Sequence, residues 1–144
     1  MTLTLKVKRL TNTAKLPTYA HDGDACFDLY ADSITYDASN ETYEITTGIS
    51  VDIPVGYALM IYSRSGHAFK YDMRLANCVA VIDQGFHGQI KVKLTHDRCI
   101  SYQPEPGDRI AQAMLIPVPV VQLEEVDELS DSERGDGGFG SSGR

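Results

Sequence analysis

Hydrophobic and polar residues alternate along much of this chain. In TLTLKVKRL the residues Leu3, Leu5 and Val7 face one way, and Thr4, Lys6 and Lys8 the other. QIKVKL repeats the pattern, with Ile90, Val92 and Leu94 inward and Lys91 and Lys93 outward. A period of two is a strand with one buried face. YEITTGISVDIP, YALMIYS and RIAQAMLIPVPVV also read as strands, rich in Ile, Val, Tyr and Thr. Turn residues separate them: Pro54-Val55-Gly56, Asp83-Gln84-Gly85 and Pro104-Glu105-Pro106-Gly107-Asp108. Pro117 and Pro119 place the last strand at an edge or take it out of the sheet. Only SRSGHAFKYDMRLA predicts a short helix, because His67, Phe69 and Tyr71 do not alternate cleanly with polar residues. There is no internal repeat. Many short strands with frequent turns predict an all-β sandwich or barrel. Such a domain exposes strand edges, which oligomerisation or exchange of the C-terminal segment would protect.

Composition narrows the class. The 144 residues suffice for one domain with a real core, and 42% hydrophobic with 23% charged residues is a soluble globular balance. No apolar run approaches a membrane span of about 20 residues, and no signal-peptide pattern opens the chain. Cys26, Cys78 and Cys99 are odd in number and form no C-x-x-C pair, so neither a disulfide framework nor a thiolate metal site is expected, and a reducing, cytoplasmic compartment fits. His21, His67, His87 and His96 have no metal-ligand spacing and read as surface or hydrogen-bonded residues. The net charge of −7 argues against nucleic-acid binding. It is concentrated in Glu124, Glu125, Asp127, Glu128, Asp131 and Glu133; the rest of the chain carries −1. The expected organisation is a domain over 1–123, an acidic tether over 124–133 and a glycine-rich arm over 134–144.

Five segments combine glycine with charge. They are DGDACFDLYA with Asp28, YSRSGHA with Arg64, Ser65 and Gly66, NCVAVIDQGFHGQI with Asn77, Asp83 and Phe86, PGDRIAQ with Arg109 and Gln112, and RGDGGFGSSG from Arg134 to Gly143. Each alone is ordinary turn or tail chemistry. Half of the last segment is glycine, yet it carries an arginine at one end and a lone phenylalanine within. Consecutive glycine N–H groups can form a nest for anions.

In this order the five segments resemble the motifs of the trimeric dUTPase family, from about Asp22 to Gly143. The resemblance implies a jelly-roll-like homotrimer with active sites shared between subunits, each covered by a C-terminal arm. It implies dUTP as substrate, dUMP and pyrophosphate as products, Mg²⁺ as cofactor and Asp83 as the general base that deprotonates the attacking water. Asn77, with backbone groups of Ala80 and Val81 in a hairpin, would recognise uracil, and Phe86 would pack against deoxyribose and reject a 2′-hydroxyl. Arg64, Ser65, Gly66 and Gln112 would bind phosphates, and Asp28 would hold Mg²⁺ through water. Arg134 would contact the terminal phosphates, Gly140, Ser141 and Ser142 would add donors, and Phe139 would stack on the base. Arg109 would touch substrate or brace the trimer or Asp108. Against the family's usual residues the chain has Cys26 and Ala80 for glycine, Gly85 for aspartate, Phe86 for tyrosine, Gln89 for glutamate and Ser142 for threonine. No nucleic-acid or membrane partner is expected, and the location would be cytoplasmic, or the host cytoplasm for a viral protein. The rival readings are a dCTP deaminase-like enzyme of the same fold and a nucleotide-sensing regulatory module of the moonlighting phage type.

Overall fold

The computed structural model describes residues 3–98, 102–141 and 143. Its strands are β1 (Lys6–Arg9), β2 (Phe27–Tyr30), β3 (Ser33–Asp37), β4 (Thr42–Thr46), β5 (Ile49–Asp52), β6 (Tyr57–Tyr62), β7 (Met73–Leu75), β8 (Val79–Ile82), β9 (Lys91–His96) and β10 (Arg109–Pro117); α1 spans Ser65–Tyr71. The strands form two antiparallel four-stranded sheets, β2-β10-β6-β8 and β3-β4-β9-β7, and a two-stranded ribbon, β1-β5. Apart from the β3-β4 hairpin, successive strands change sheet, which gives the jelly-roll-like sandwich its form. Among the described residues no helix is long and apolar enough to cross a membrane.

The alternation read along the chain sets the packing. Leu29 and Ile61 of one sheet meet Ile45, Leu75 and Leu94 of the other in one core, with Ile49 of the ribbon. In β9, Val92 and Leu94 are buried while Lys91 and Lys93 are exposed. Leu5 and Val7 are only half-buried; with Phe27, Met114 and Leu115 they line an open apolar groove of ≈ 610 Å³ at the core's margin.

Two strand readings are revised. YEITTGISVDIP is two strands, because the chain turns at Thr47-Gly48 between β4 and β5. Gly48 has φ +65°, a conformation that disfavours a side chain. A Cβ there would lie 2.7 Å from Ala14 Cβ and 2.8 Å from Asp32 Oδ2. Gly48→Ala is therefore expected to destabilise the fold by about 1–3 kcal/mol or more, read as a lower urea midpoint at unchanged slope. The second revision concerns β10. Of the two readings its prolines offered, an edge or an exit from the sheet, the edge fails, because β10 pairs with β2 on one side and β6 on the other. Pro117 is its last residue, and the chain leaves the sheet there. From Pro117 to Asp136 every residue is exposed.

Candidate active site

One group of predicted residues gathers where β2, β10 and α1 meet. Gln112 of β10 lies opposite Asp28 of β2, so both project from the same face. Arg109 joins them through a register shift between Arg109 and Ala111. In a regular strand, residues three apart face opposite ways. Here Ile110 and Ala111 both point into the core, and the parity break brings Arg109 to the side of Gln112. Two consecutive apolar residues in GDRIAQ were the signal for this bulge.

Asp28 is only 8% exposed because guanidinium groups cover it. Arg64 Nε donates to Oδ1 at 3.0 Å, and Arg109 Nη1 donates to Oδ2 at 3.2 Å. Arg64 Nη1 also donates to the Arg109 carbonyl at 3.2 Å. Arg109 thus braces Asp28. The carboxylate of Asp108 is engaged elsewhere, accepting from Tyr102 Oη at 3.1 Å and Glu105 N at 2.9 Å. Burial and that hydrogen bond push the Tyr102 phenol up to about 12. Gln112 Nε2 donates to Ser63 O at 2.9 Å and keeps a second N–H free for another acceptor.

Arg64 is the N-cap residue of α1 and makes no side-chain cap bond, so the first N–H groups of the helix, at Ser65 and Gly66, lack an internal acceptor. Asp28, Arg64, Ser65, Gly66, Arg109 and Gln112 line a cavity of ≈ 490 Å³. Cys26 lines it too; burial, then the Asp28 carboxylate, pushes its thiol up and keeps it a thiol. Behind the cluster His67 is buried, and its Nδ1 has no partner among the described residues. Burial, then Arg64, pushes its pKa down, so this histidine is a neutral ring packed near Tyr71 and Tyr102.

A second group lies on β8 and the turns at its two ends. Asn77 and Ala80 line a separate cavity of ≈ 440 Å³ with Leu75 and Lys93. The segment expected as a hairpin has no return strand of its own. β8 pairs with β6, and the residues after its turn lead to β9 in the other sheet. β8 is thus the outer strand of its sheet, with one edge of N–H and C=O groups unpaired by the sheet. Val81 and Asp83 are exposed. The turn after β8 is closed by Phe86 N donating to Asp83 O at 3.2 Å, and Gly85 supplies the positive φ, +87°, suited to its third position. Phe86 is 47% exposed.

The third group is the glycine-rich segment. It turns on itself, with Arg134 Nε donating to Gly137 O at 2.8 Å and Ser141 N to Gly138 O at 3.0 Å. Arg134, Gly140 and Ser141 are exposed and Phe139 is fully so, with φ +50°. Ser142 and Cys99 lie outside the described residues.

The register fixes how far apart these groups sit in one chain. Asp28, Gln112, Tyr62 and Val79 form one row across the sheet. Three strand spacings put Asp28 and Val79 about 14 Å apart, and Asp83 lies about 13 Å farther along the strand direction. The Asp28 cluster and Asp83 are therefore separated by about 19 Å. Among the described residues no group of three or more His, Cys, Asp or Glu side chains could hold a metal ion.

Comparison with known proteins gives these groups a context. The dUTPase family model matches residues 12–143. The chain is 40% identical over 139 residues to the deoxyuridine 5'-triphosphate nucleotidohydrolase of Clostridioides difficile, covering 96% of this chain and 97% of that one. It is 41% identical over 141 residues to the Clostridium tetani protein of the same name, with 98% and 97% covered. Among solved structures, a point mutant of the Staphylococcus bacteriophage 80alpha dUTPase with dUpNHpp matches with a TM-score of 0.84 at 29% identity, over 99% of this chain and 100% of that one.

Proposed function

This chain belongs to the dUTPase family and hydrolyses dUTP to dUMP; from that premise we propose which residues carry the reaction and how subunits share them. The observation that carries the assignment of roles is the convergence of Asp28, Arg64, Ser65, Gly66 and Gln112 on one cavity. Arg64 commits two of its five N–H donors to Asp28 and the Arg109 carbonyl, which leaves the others for phosphate oxygens. The free N–H groups of Ser65 and Gly66 add donors, and the second N–H of Gln112 reaches an oxygen of the α-phosphate.

Asp28 suits Mg²⁺ held through water. Each of its oxygens accepts one guanidinium N–H and keeps a lone pair for a coordinated water molecule. With a single carboxylate and two arginines in place, the donor set fits a hydrated ion shared with substrate phosphates and not an all-protein cage. When bound, Mg²⁺ offsets the charge of the triphosphate.

The free edge of β8 reads the uracil through backbone groups at Ala80 and Val81, assisted by Asn77. Phe86 packs against deoxyribose. Asp83 takes a proton from water as its oxygen bonds to the α-phosphorus; the bond from that phosphorus to the bridging oxygen breaks, and pyrophosphate leaves. Because about 19 Å separates Asp83 from the Asp28 cluster in one chain, the cluster of one subunit works with Asp83 and Phe86 of another. The third subunit of a homotrimer supplies the arm, whose Arg134, Gly140, Ser141 and Ser142 hold phosphates.

The test is pyrophosphate release from dUTP with and without Mg²⁺, with UTP and dCTP as controls and sedimentation for the assembly. Ammonia released from dCTP would support the deaminase reading instead. Tight dUTP binding without turnover would support the sensing reading, and a monomer with full activity would overturn the shared site.

Phe139 offers a direct probe of the arm. The sequence contains no tryptophan, so Phe139→Trp installs a single indole. Stacking on a base contributes about 1–3 kcal/mol in single-strand nucleic-acid complexes. Mg²⁺ with a non-hydrolysable dUTP analogue is expected to change indole emission strongly, and dUMP much less, because dUMP lacks the phosphates that draw the arm shut. Flat emission at saturation, with binding confirmed by calorimetry, would remove Phe139 from the site.

A further inference from the structure

We infer that Gly88 is a positioning residue for sugar selection: its missing side chain is the seat on which the Phe86 ring lies. The inference rests on the reading of Phe86 as the residue that packs against deoxyribose. A Cβ at Gly88 would lie 2.5 Å from Phe86 Cζ, 2.9 Å from Cε2 and 3.1 Å from Cε1. Those distances are well inside van der Waals contact. The backbone gives no other reason for glycine. Positive φ marks eight glycines among the described residues, and Gly88 is not among them. The φ of Gly88 is therefore open to an L-residue, and the three atoms nearest a Cβ there all belong to the ring.

The surroundings decide what yields when the seat is filled. On one side the chain is held by the turn from Asp83 to Phe86. On the other, Ile90 is fully buried, donates to Ile49 O at 2.9 Å and accepts from Thr47 Oγ1 at 2.7 Å and Thr47 N at 3.1 Å. The backbone at residue 88 thus lies between two anchors. The colliding atoms of Phe86 belong to the far end of a half-exposed side chain. The ring moves and the fold stays. A displaced ring no longer closes the space where a 2′-hydroxyl would sit.

The experiment compares wild type, Gly88→Ala, Phe86→Leu and the double variant, each as the full-length chain. Leucine lacks the Cε and Cζ atoms that collide, so it tolerates alanine at 88. The readout is the ratio of kcat/KM for dUTP to that for UTP, with thermal midpoint and sedimentation as controls on folding. Gly88→Ala is expected to lower the ratio about tenfold at a nearly unchanged midpoint, and the double variant no further than Phe86→Leu alone. If Phe86→Leu leaves the ratio unchanged, the reading of Phe86 at the sugar fails, and the inference with it. If Phe86→Leu lowers the ratio but Gly88→Ala does not, the seat alone is overturned. It is also overturned if Gly88→Ala acts with full effect in the Phe86→Leu background. Should Gly88→Ala not fold, the double variant decides: folding restored by leucine supports the seat, and folding not restored overturns it.

Discussion

Asp83→Asn is expected to lower kcat for dUTP by about 10²–10⁴-fold, the usual worth of a positioned general base. Asparagine keeps the size and planarity of the side chain but cannot take the proton of the attacking water. Asp83 is exposed on the turn after β8, and its backbone carbonyl, not its carboxylate, closes that turn. The substitution therefore leaves the turn intact, and the thermal midpoint and the affinity for a non-hydrolysable dUTP analogue should stay near wild type. A variant that retains near-normal kcat would rule Asp83 out as the base. A variant that loses binding and turnover together would give it a positioning role instead.

The second large effect concerns the arm. A chain stopped after Glu133 is expected to lose dUTP hydrolysis by about 10²-fold or more, the scale on which misplaced substrate slows a reaction. Its stability and sedimentation should not change, because residues 117–136 are exposed throughout and the described bonds of the arm are made within the segment from Ser132 onward. The reaction would lose the guanidinium of Arg134 and the exclusion of water from the triphosphate. If truncation instead yields a monomer, the segment is an assembly strap. If activity survives, closure is not needed for the reaction.

Much of the strand architecture is legible in the sequence because alternation is a local consequence of burying one face. Ile90, Val92 and Leu94 go inward where the pattern puts them, and the short helix begins at Ser65 directly after SR. Partners are not local. Period two tells which face of a strand is buried but not which strands lie beside it, and the two prolines of the last strand, which fit an edge or an exit from the sheet, mark only the exit of a strand that is central. The break at Gly48 was hidden because ITTGISV keeps strand-like residues on both sides. The candidate site residues come from resemblance, not from periodicity, and the bulge that turns Arg109 onto Asp28 has only a pair of adjacent apolar residues to announce it. The separation of Asp28 from Asp83 follows from sheet order, a property of the folded chain that spacing along the sequence does not encode.

The exposed stretch that follows β10 also sets the arm's local abundance. Sixteen residues, Val118 to Glu133, link the sheet to Arg134. A flexible chain of that length has a root-mean-square span of about 22 Å, and its six uncompensated carboxylates stretch it further. Short flexible links of this kind hold their cargo at an effective concentration of about 1 mM or above. An arm confined in this way needs only a millimolar intrinsic affinity to engage about half of the time. If the segment closes over the site as proposed, covalent attachment would supply most of the closure, and the individual contacts of Phe139 and Arg134 could stay weak. Weak contacts release quickly, so the same tether that would keep the arm at hand would also let dUMP and pyrophosphate leave.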